Sequence, residues 1–437
     1  MRSYNIFIYE IKHFGRNKAK VAAYILFIFA SVYALYNGFS LFNKQQETLD
    51  NIEQKRQESV KKVLTWYDEG KKGPEDRPWI DVTTPFWALW NTTTYCVKKP
   101  SKLMPLGIGQ AEQFGYYHQV TNWSTTYDKE MVEEMSNPER LLNGNVDFGF
   151  VVIFLLPILL IIFSYNIKGF EQDMNFDRLV QIQSGSTKKW VMARLSFYTL
   201  LLITTTTIFI IGSALIKSAF ESHTSEVLAL VLLSIIYTIG WATGLYFIII
   251  SSIGSSIQAF KMIASWLMFC VLIPGAVHQM ASIKYPPNYM TDYLDSNRKD
   301  AYAMFEISKD SLSWQLKTLY PELTKTKHGL DSITDEGIIN FTISALINQK
   351  NKSAIAGIEQ QNDLKNEFIV SSYWCNPVSY IQNKWNSVIA TDYKAYKSYR
   401  ENVQQAIDRK IELLVFDCWE KKKVNKEMFQ GYLKILE

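Results

Sequence analysis

The sequence is poor in the residue patterns that carry catalysis. It contains no G-x-x-x-x-G-K-[ST] phosphate loop, no G-x-G-x-x-G after a strand, no H-E-x-x-H and no C-x-x-C. Its five histidines (His13, His118, His223, His278 and His328) are scattered and form no cluster with metal-ligand spacing. Four cysteines in 437 residues exclude a disulfide-dense scaffold, and 20 glycines with 12 prolines exclude a collagen-like chain. We therefore expect no catalytic residue, no metal and no directly bound cofactor. Any nucleotide hydrolysis must come from a partner.

What is present is hydrophobic and unevenly placed. A mean hydropathy of -0.07 and a formal charge of +4 look ordinary, but they average apolar blocks with long polar stretches. A transmembrane helix needs roughly 20 apolar residues, and five segments qualify: 21–42, 148–167, 191–216, 226–250 and 259–280. The second has no charge between Phe148 and Ile167. Its Pro157 is tolerable where a neighbouring helix re-satisfies the freed carbonyl. The fourth carries Gly240 and Gly244 in small-xxx-small spacing, which suits close helix packing in lipid or reflects a chance pair.

Basic residues near span ends favour the cytoplasmic side. Arg2, Lys12, Arg16, Lys18 and Lys20 precede the first span, and Lys168, Arg178, Lys188 and Lys189 lie between the second and third; the next loop offers only Lys217. The predicted fold is thus mainly α, a polytopic membrane protein with five spans, its N-terminus cytoplasmic and its C-terminus extracytoplasmic. Residues 43–147 and 281–437 form two large extracytoplasmic domains, α-rich with room for some α+β. The basic start and long first apolar block fit an uncleaved signal anchor.

Residues 1–20 read as an amphipathic helix. Tyr4, Phe7, Ile8, Ile11 and Phe14 share one face, while Arg2, Glu10, Lys12 and His13 fall elsewhere around it. Such a helix lies in the inner headgroup layer or packs on the protein itself. Residues 44–66 continue the first span as a charged helix. The aromatic-rich stretch from Trp66 to Trp123 fills a core, forms an interfacial belt or lines an apolar site. Further on, Val403, Ile407, Ile411 and Leu414 recur at helical spacing. Cys270 lies in a span; Cys96, Cys375 and Cys418 hold either one disulfide with an odd thiol or free thiols.

The loop 168–190 holds a short amphipathic stretch (Phe170, Met174, Phe176, Leu179, Val180, Ile182) that ends at Ser184-Gly185-Ser186. It is either a lever for a cytoplasmic motor or a solvated surface loop. Here the chain resembles the ABC-2 type permeases. An acidic residue after the second span (Glu171), a Ser-x-Gly-like turn (Ser184, Gly185, Ser186) and a basic approach to the third span (Lys188, Lys189, Arg194) carry the likeness. Asn175 and Phe176 stand where that family usually has Gly-Thr. The helix at 1–20 looks like the family's elbow helix. The long first insert, the stretch from Phe269 to Pro287, and the pairs Asn376-Pro377, Thr391-Asp392 and Tyr399-Arg400 look like the branch carrying a DUF3526 domain.

The resemblance implies the membrane subunit of an ATP-binding-cassette exporter in a bacterial inner membrane. It would pair with a second permease copy or a paralogue, and with a separate ATPase that carries the ATP and Mg. It implies coupling roles for Glu171, Phe176, Arg178, Leu179, Ser184, Gly185, Lys188 and Lys189. The lipid bilayer is a partner and nucleic acid is not. The family usually has six spans, and the sequence offers no sixth apolar block before Glu437. The competing expectation is a non-transporting scaffold or sensor whose outer domains bind a ligand or protein.

Overall fold

A computed structural model describes residues 3–127, 146–286 and 302–436. The first helix, α1 (Ser3–Arg16), ends at Asn17, whose side chain accepts the Lys20 N–H at 3.1 Å and so starts α2 (Lys18–Asp68). The 51 residues of α2 extend about 77 Å at ~1.5 Å per residue. The first span and the charged stretch after it are therefore one unbroken rod.

Among the described residues, five helices are long and apolar enough to cross a membrane: α2, the segment Phe148–Asp173, α7 (Thr187–Ile216), α8 (Thr224–Ser251) and α9 (Ser255–Lys284). The second contains α4 (148–164) and the short α5 (Gly169–Asp173), followed by α6 (Asp177–Ser184). α4 is the centre of the bundle and α9 its edge, since 67% of the apolar window is buried in the one and 11% in the other.

Both α4 and α9 contain a π-helical turn just before a proline. Val151–Leu155 precedes Pro157, and Met268–Leu272 precedes Pro274. Proline has no N–H, so a carbonyl in the preceding turn loses its helical partner. Neighbouring spans supply donors in α4: Tyr237 Oη donates to Ile153 O at 2.6 Å, and Trp266 Nε1 to Phe154 O at 3.1 Å. This is the compensation that a proline inside a span requires.

Beyond the spans lie α3 (Pro85–Trp90) and the antiparallel pair β1 (Thr94–Val97) and β2 (Tyr117–Val120), with Thr94 opposite Val120. The later segment contributes α10 (Lys309–Leu319), α11 (Glu336–Thr342), α12 (Ser344–Ser371), α13 (Pro377–Ile389), α14 (Tyr393–Trp419) and α15 (Lys426–Leu436). The segments expected as two domains, 43–147 and 281–437, share apolar cores. Val120 shares a core with Leu312, Ile339, Val403 and Ile407. Val63, Phe86 and Leu89 share another with Leu414, Phe429 and Tyr432. Residues far apart in sequence thus bury one another's apolar surface, giving one interleaved body.

That body is tied to the bundle by polar contacts as well. Trp385 Nε1 donates to Leu106 O at 2.9 Å, and Asp147 caps α4 through Phe150 N at 2.7 Å while also accepting Ile108 N at 2.8 Å. Burial pushes the Asp147 carboxyl upward, and those N–H donors oppose the shift. All four cysteines are free, so no disulfide joins Cys96, Cys375 and Cys418.

Candidate coupling site

The N-terminal helix, the loop 168–190 and the turn between α8 and α9 meet at one end of the bundle. α1 packs along α7 through Phe7 and Phe14. Phe7 meets the Phe197 ring edge-on at 5.2 Å, and Phe14 meets Phe163 at 5.6 Å and Tyr198 at 6.3 Å. Ile8 and Ile11, expected on the same face, are exposed, and so is Tyr9. The side chain of Tyr4 lies outside the described residues. The helix therefore splits its apolar surface: one flank is docked on the protein and the other faces outward.

Glu10 sits between Phe7 and Phe14 on the docked flank and is 0% exposed. Arg194, from the first half of α7, ion-pairs with the Glu10 carboxylate. The same guanidinium donates to Glu171 Oε1 at 2.9 Å and to Ile167 O at 2.9 Å, and it stacks 4.8 Å from the Trp190 ring. Tyr198 Oη donates to Glu10 Oε2 at 2.9 Å. Lys20 Nζ lies 3.1 Å from that hydroxyl and donates to Phe163 O at 2.6 Å. Two carboxylates and two cations thus neutralise one another out of water, as buried charges must. His13 stands at the edge, 4.0 Å from Glu10, its pKa lowered chiefly by burial.

The loop itself is held at its base and open at its tip. Lys168 Nζ caps the end of α8 through Ile250 O at 3.0 Å and Ser252 O at 3.2 Å. Gln172 accepts Gly254 N at 3.1 Å, and Asp173 accepts the Ser255 hydroxyl. A Cβ on Gly169 would meet Ser255 N at 2.6 Å, so only glycine allows this approach. α6 ends at Gly185, whose φ of +71° is left-handed and whose N–H bonds Gln181 O at 3.0 Å. Ser184 turns its hydroxyl back to Val180 O at 2.6 Å. Phe176 N reaches Glu171 O at 2.7 Å and fixes the kink between α5 and α6.

At the tip, Phe170, Met174, Phe176, Leu179 and Ile182 are exposed, Ile182 to 81%. Arg178, Lys188 and Lys189 are exposed around them. Of the residues singled out here, Glu171 and Arg194 join the buried ion network; the others form the surface above it. Glu10, Lys20 and Tyr198 were missed. The available signal was a lone carboxylate at i+3 from Phe7, within reach of basic residues flanking two spans.

Gly240 and Gly244 lie away from this network, in the middle of α8. A Cβ built on either meets no atom within 4 Å. They line an apolar cleft of about 470 Å³ and bring no helix of this chain into close approach. Of the other pairs singled out, Asn376 caps α13, Asp392 caps α14, and Thr391 donates to Gly107 O at 3.0 Å. Arg400 is buried and bonds Glu359 at 2.7 Å. These positions hold together the body packed beyond the spans. Among the described residues no group of His, Cys, Asp and Glu could hold a metal ion. No family model, curated protein or solved structure matches the chain.

Proposed function

We propose that the chain is the membrane-spanning subunit of an ABC-2 type exporter, in a bacterial inner membrane with the 168–190 loop in the cytoplasm. A separate ATPase docks on that loop, and its closure moves the spans. The observation that carries this reading is the contrast within the loop. Its tip exposes apolar side chains to a watery compartment, where such a patch marks a binding surface, while its base is ion-paired through Arg194 to α1 and α7. A push on the tip is thereby delivered to both helices at once. Glu171 and Arg194 transmit; Phe176, Leu179, Ser184 and Gly185 shape the docking surface; Arg178, Lys188 and Lys189 supply charge. A second permease copy completes the complex.

The test is subunit composition. The protein purified from its native membrane should bring a nucleotide-binding subunit with it, and Glu171→Ala should lower the ATPase rate of the complex. Absence of such a subunit, with ATPase activity indifferent to Glu171→Ala, would overturn the proposal. A second reading, a membrane sensor, draws on α2, one rigid helix running from the outer core at Val63 to the inner end at Lys20. ATP-dependent transport in reconstituted vesicles would exclude it.

A further inference from the structure

We propose that the groove between α7 and α8, at the end of the bundle that carries the 168–190 loop, holds an acyl chain of an anionic phospholipid whose phosphate rests on Lys188 and Lys189. This requires that the spans cross a membrane and is independent of the exporter reading.

The first observation is the shape of the groove. It has a volume of about 530 Å³ and runs between Met192, Ser196 and Ile203 of α7 and Ile239, Thr243 and Phe247 of α8, with Phe7 of α1 beside them. Each set follows one face of its helix, at three- and four-residue steps or their sums. Met192, Ile239 and Phe247 are exposed, so the groove opens sideways toward whatever surrounds the spans. Its far end is shut. Just beyond Ile203 and Ile239, the Thr206 and Ser234 hydroxyls meet at 3.0 Å and hold the two helices together.

The second observation is depth. Met192 to Ile203 spans about 17 Å along α7, and Ile239 to Phe247 about 12 Å along α8, at ~1.5 Å per residue. A hydrocarbon core is roughly 30 Å thick, so the groove matches one leaflet. A crossing helix from a second copy would need a channel through the full thickness, whereas the Thr206–Ser234 contact closes this one near the middle of both helices. An acyl chain needs no more, because it ends where its leaflet ends.

The third is charge. No Asp, Glu, Lys or Arg lines the groove. Its open end leads instead to the first turn of α7, where Lys188 and Lys189 stand one turn before Met192 on the same face. Both are exposed, and among the described residues neither has an acidic partner. That turn contains no acidic residue, so the dipole at the start of α7 adds to the field of the two lysines. A molecule with a phosphate at one end and a hydrocarbon tail at the other satisfies both parts of the site. Paired cations at the membrane surface favour an anionic headgroup over a zwitterionic one. Lys188 and Lys189 thereby have a role besides charge at the docking surface.

The full-length protein, delipidated in detergent and titrated with phosphatidylglycerol or with phosphatidylcholine of the same chains, tests this by native mass spectrometry. Phosphatidylglycerol should be retained in preference to phosphatidylcholine. Lys188→Gln combined with Lys189→Gln should weaken phosphatidylglycerol binding about tenfold and remove the preference. Thr243→Trp, which fills the groove from an exposed site, should weaken the binding of both lipids. Lys12→Gln combined with Lys18→Gln removes the same charge from exposed sites outside the groove and should change neither. An equal loss in the two lysine pairs would mean diffuse attraction to a basic surface. Equal binding of the two lipids to the native protein would mean that no headgroup site exists. Dissociation of a dimer by Thr243→Trp, with lipid binding unchanged, would mean that a second copy covers the groove. Each of these three results overturns the proposal.

Discussion

Arg194 is the residue on which one end of the molecule depends. It joins Glu10 of α1 to Glu171 of the loop, and both pairs are shielded from water. Removing one partner of a buried pair strands the other charge, at a cost of about 3–5 kcal/mol. We expect Arg194→Gln to lower the thermal midpoint in detergent sharply, and Glu10→Gln added to it to recover part of the loss. Additive effects of the two changes would mean that they do not interact. Lys410 is the counterpart in the body beyond the spans. It is buried, donates to Thr92 Oγ1 at 3.0 Å and Val120 O at 2.8 Å, and burial lowers its pKa from the usual 10.5 to about 7. The unfolded chain therefore holds a proton that the folded chain releases between those values. Stability should rise with pH across that window, by up to about 1.4 kcal/mol per unit. Midpoints measured from pH 7 to 9.5 should rise in the native protein and flatten in Lys410→Met.

Among the elements, α4 and α8 are joined by a bond that proline makes necessary. Tyr237 Oη is a donor for Ile153 O, the carbonyl four residues before Pro157. Tyr237→Phe leaves that carbonyl unpaired in the bundle, and we expect a loss of about 1–3 kcal/mol, read as a lower midpoint. An unchanged midpoint would show that the π-turn relaxes to recover the bond. The amphipathic pattern of α1 was legible, yet its orientation was not. A hydrophobic stripe wide enough to read as one face is divided between protein and surroundings, because Glu10 is drawn inward by Arg194. The two loop helices were legible as one amphipathic stretch; the kink at Asn175, whose φ is +64°, was not.

At the scale of the whole molecule, α2 and α14 hold together segments that the spans separate in sequence. Phe429 on α15 packs with Tyr67 of α2, their rings 5.6 Å apart, in the core that also holds Phe86. Phe429→Ala should cost about 3–5 kcal/mol and loosen the earlier segment as well as its own. Limited trypsin digestion should then accelerate at Lys71, Lys72 and Arg77, which are exposed on the stretch after α2. Two separate outer domains would leave those sites unaffected.

Five apolar blocks, an uncharged second span with one proline, and a basic set of loops were enough to determine a mainly helical chain with five candidate spans. Hydrophobic length is a local property, and the chain declares it without folding. The partners of Glu10, Lys20 and Lys410, and the shared cores of the segments 43–147 and 281–437, were decided only in three dimensions. Each depends on a contact between residues far apart along the chain, and periodicity within one element carries no information about what the neighbouring element offers.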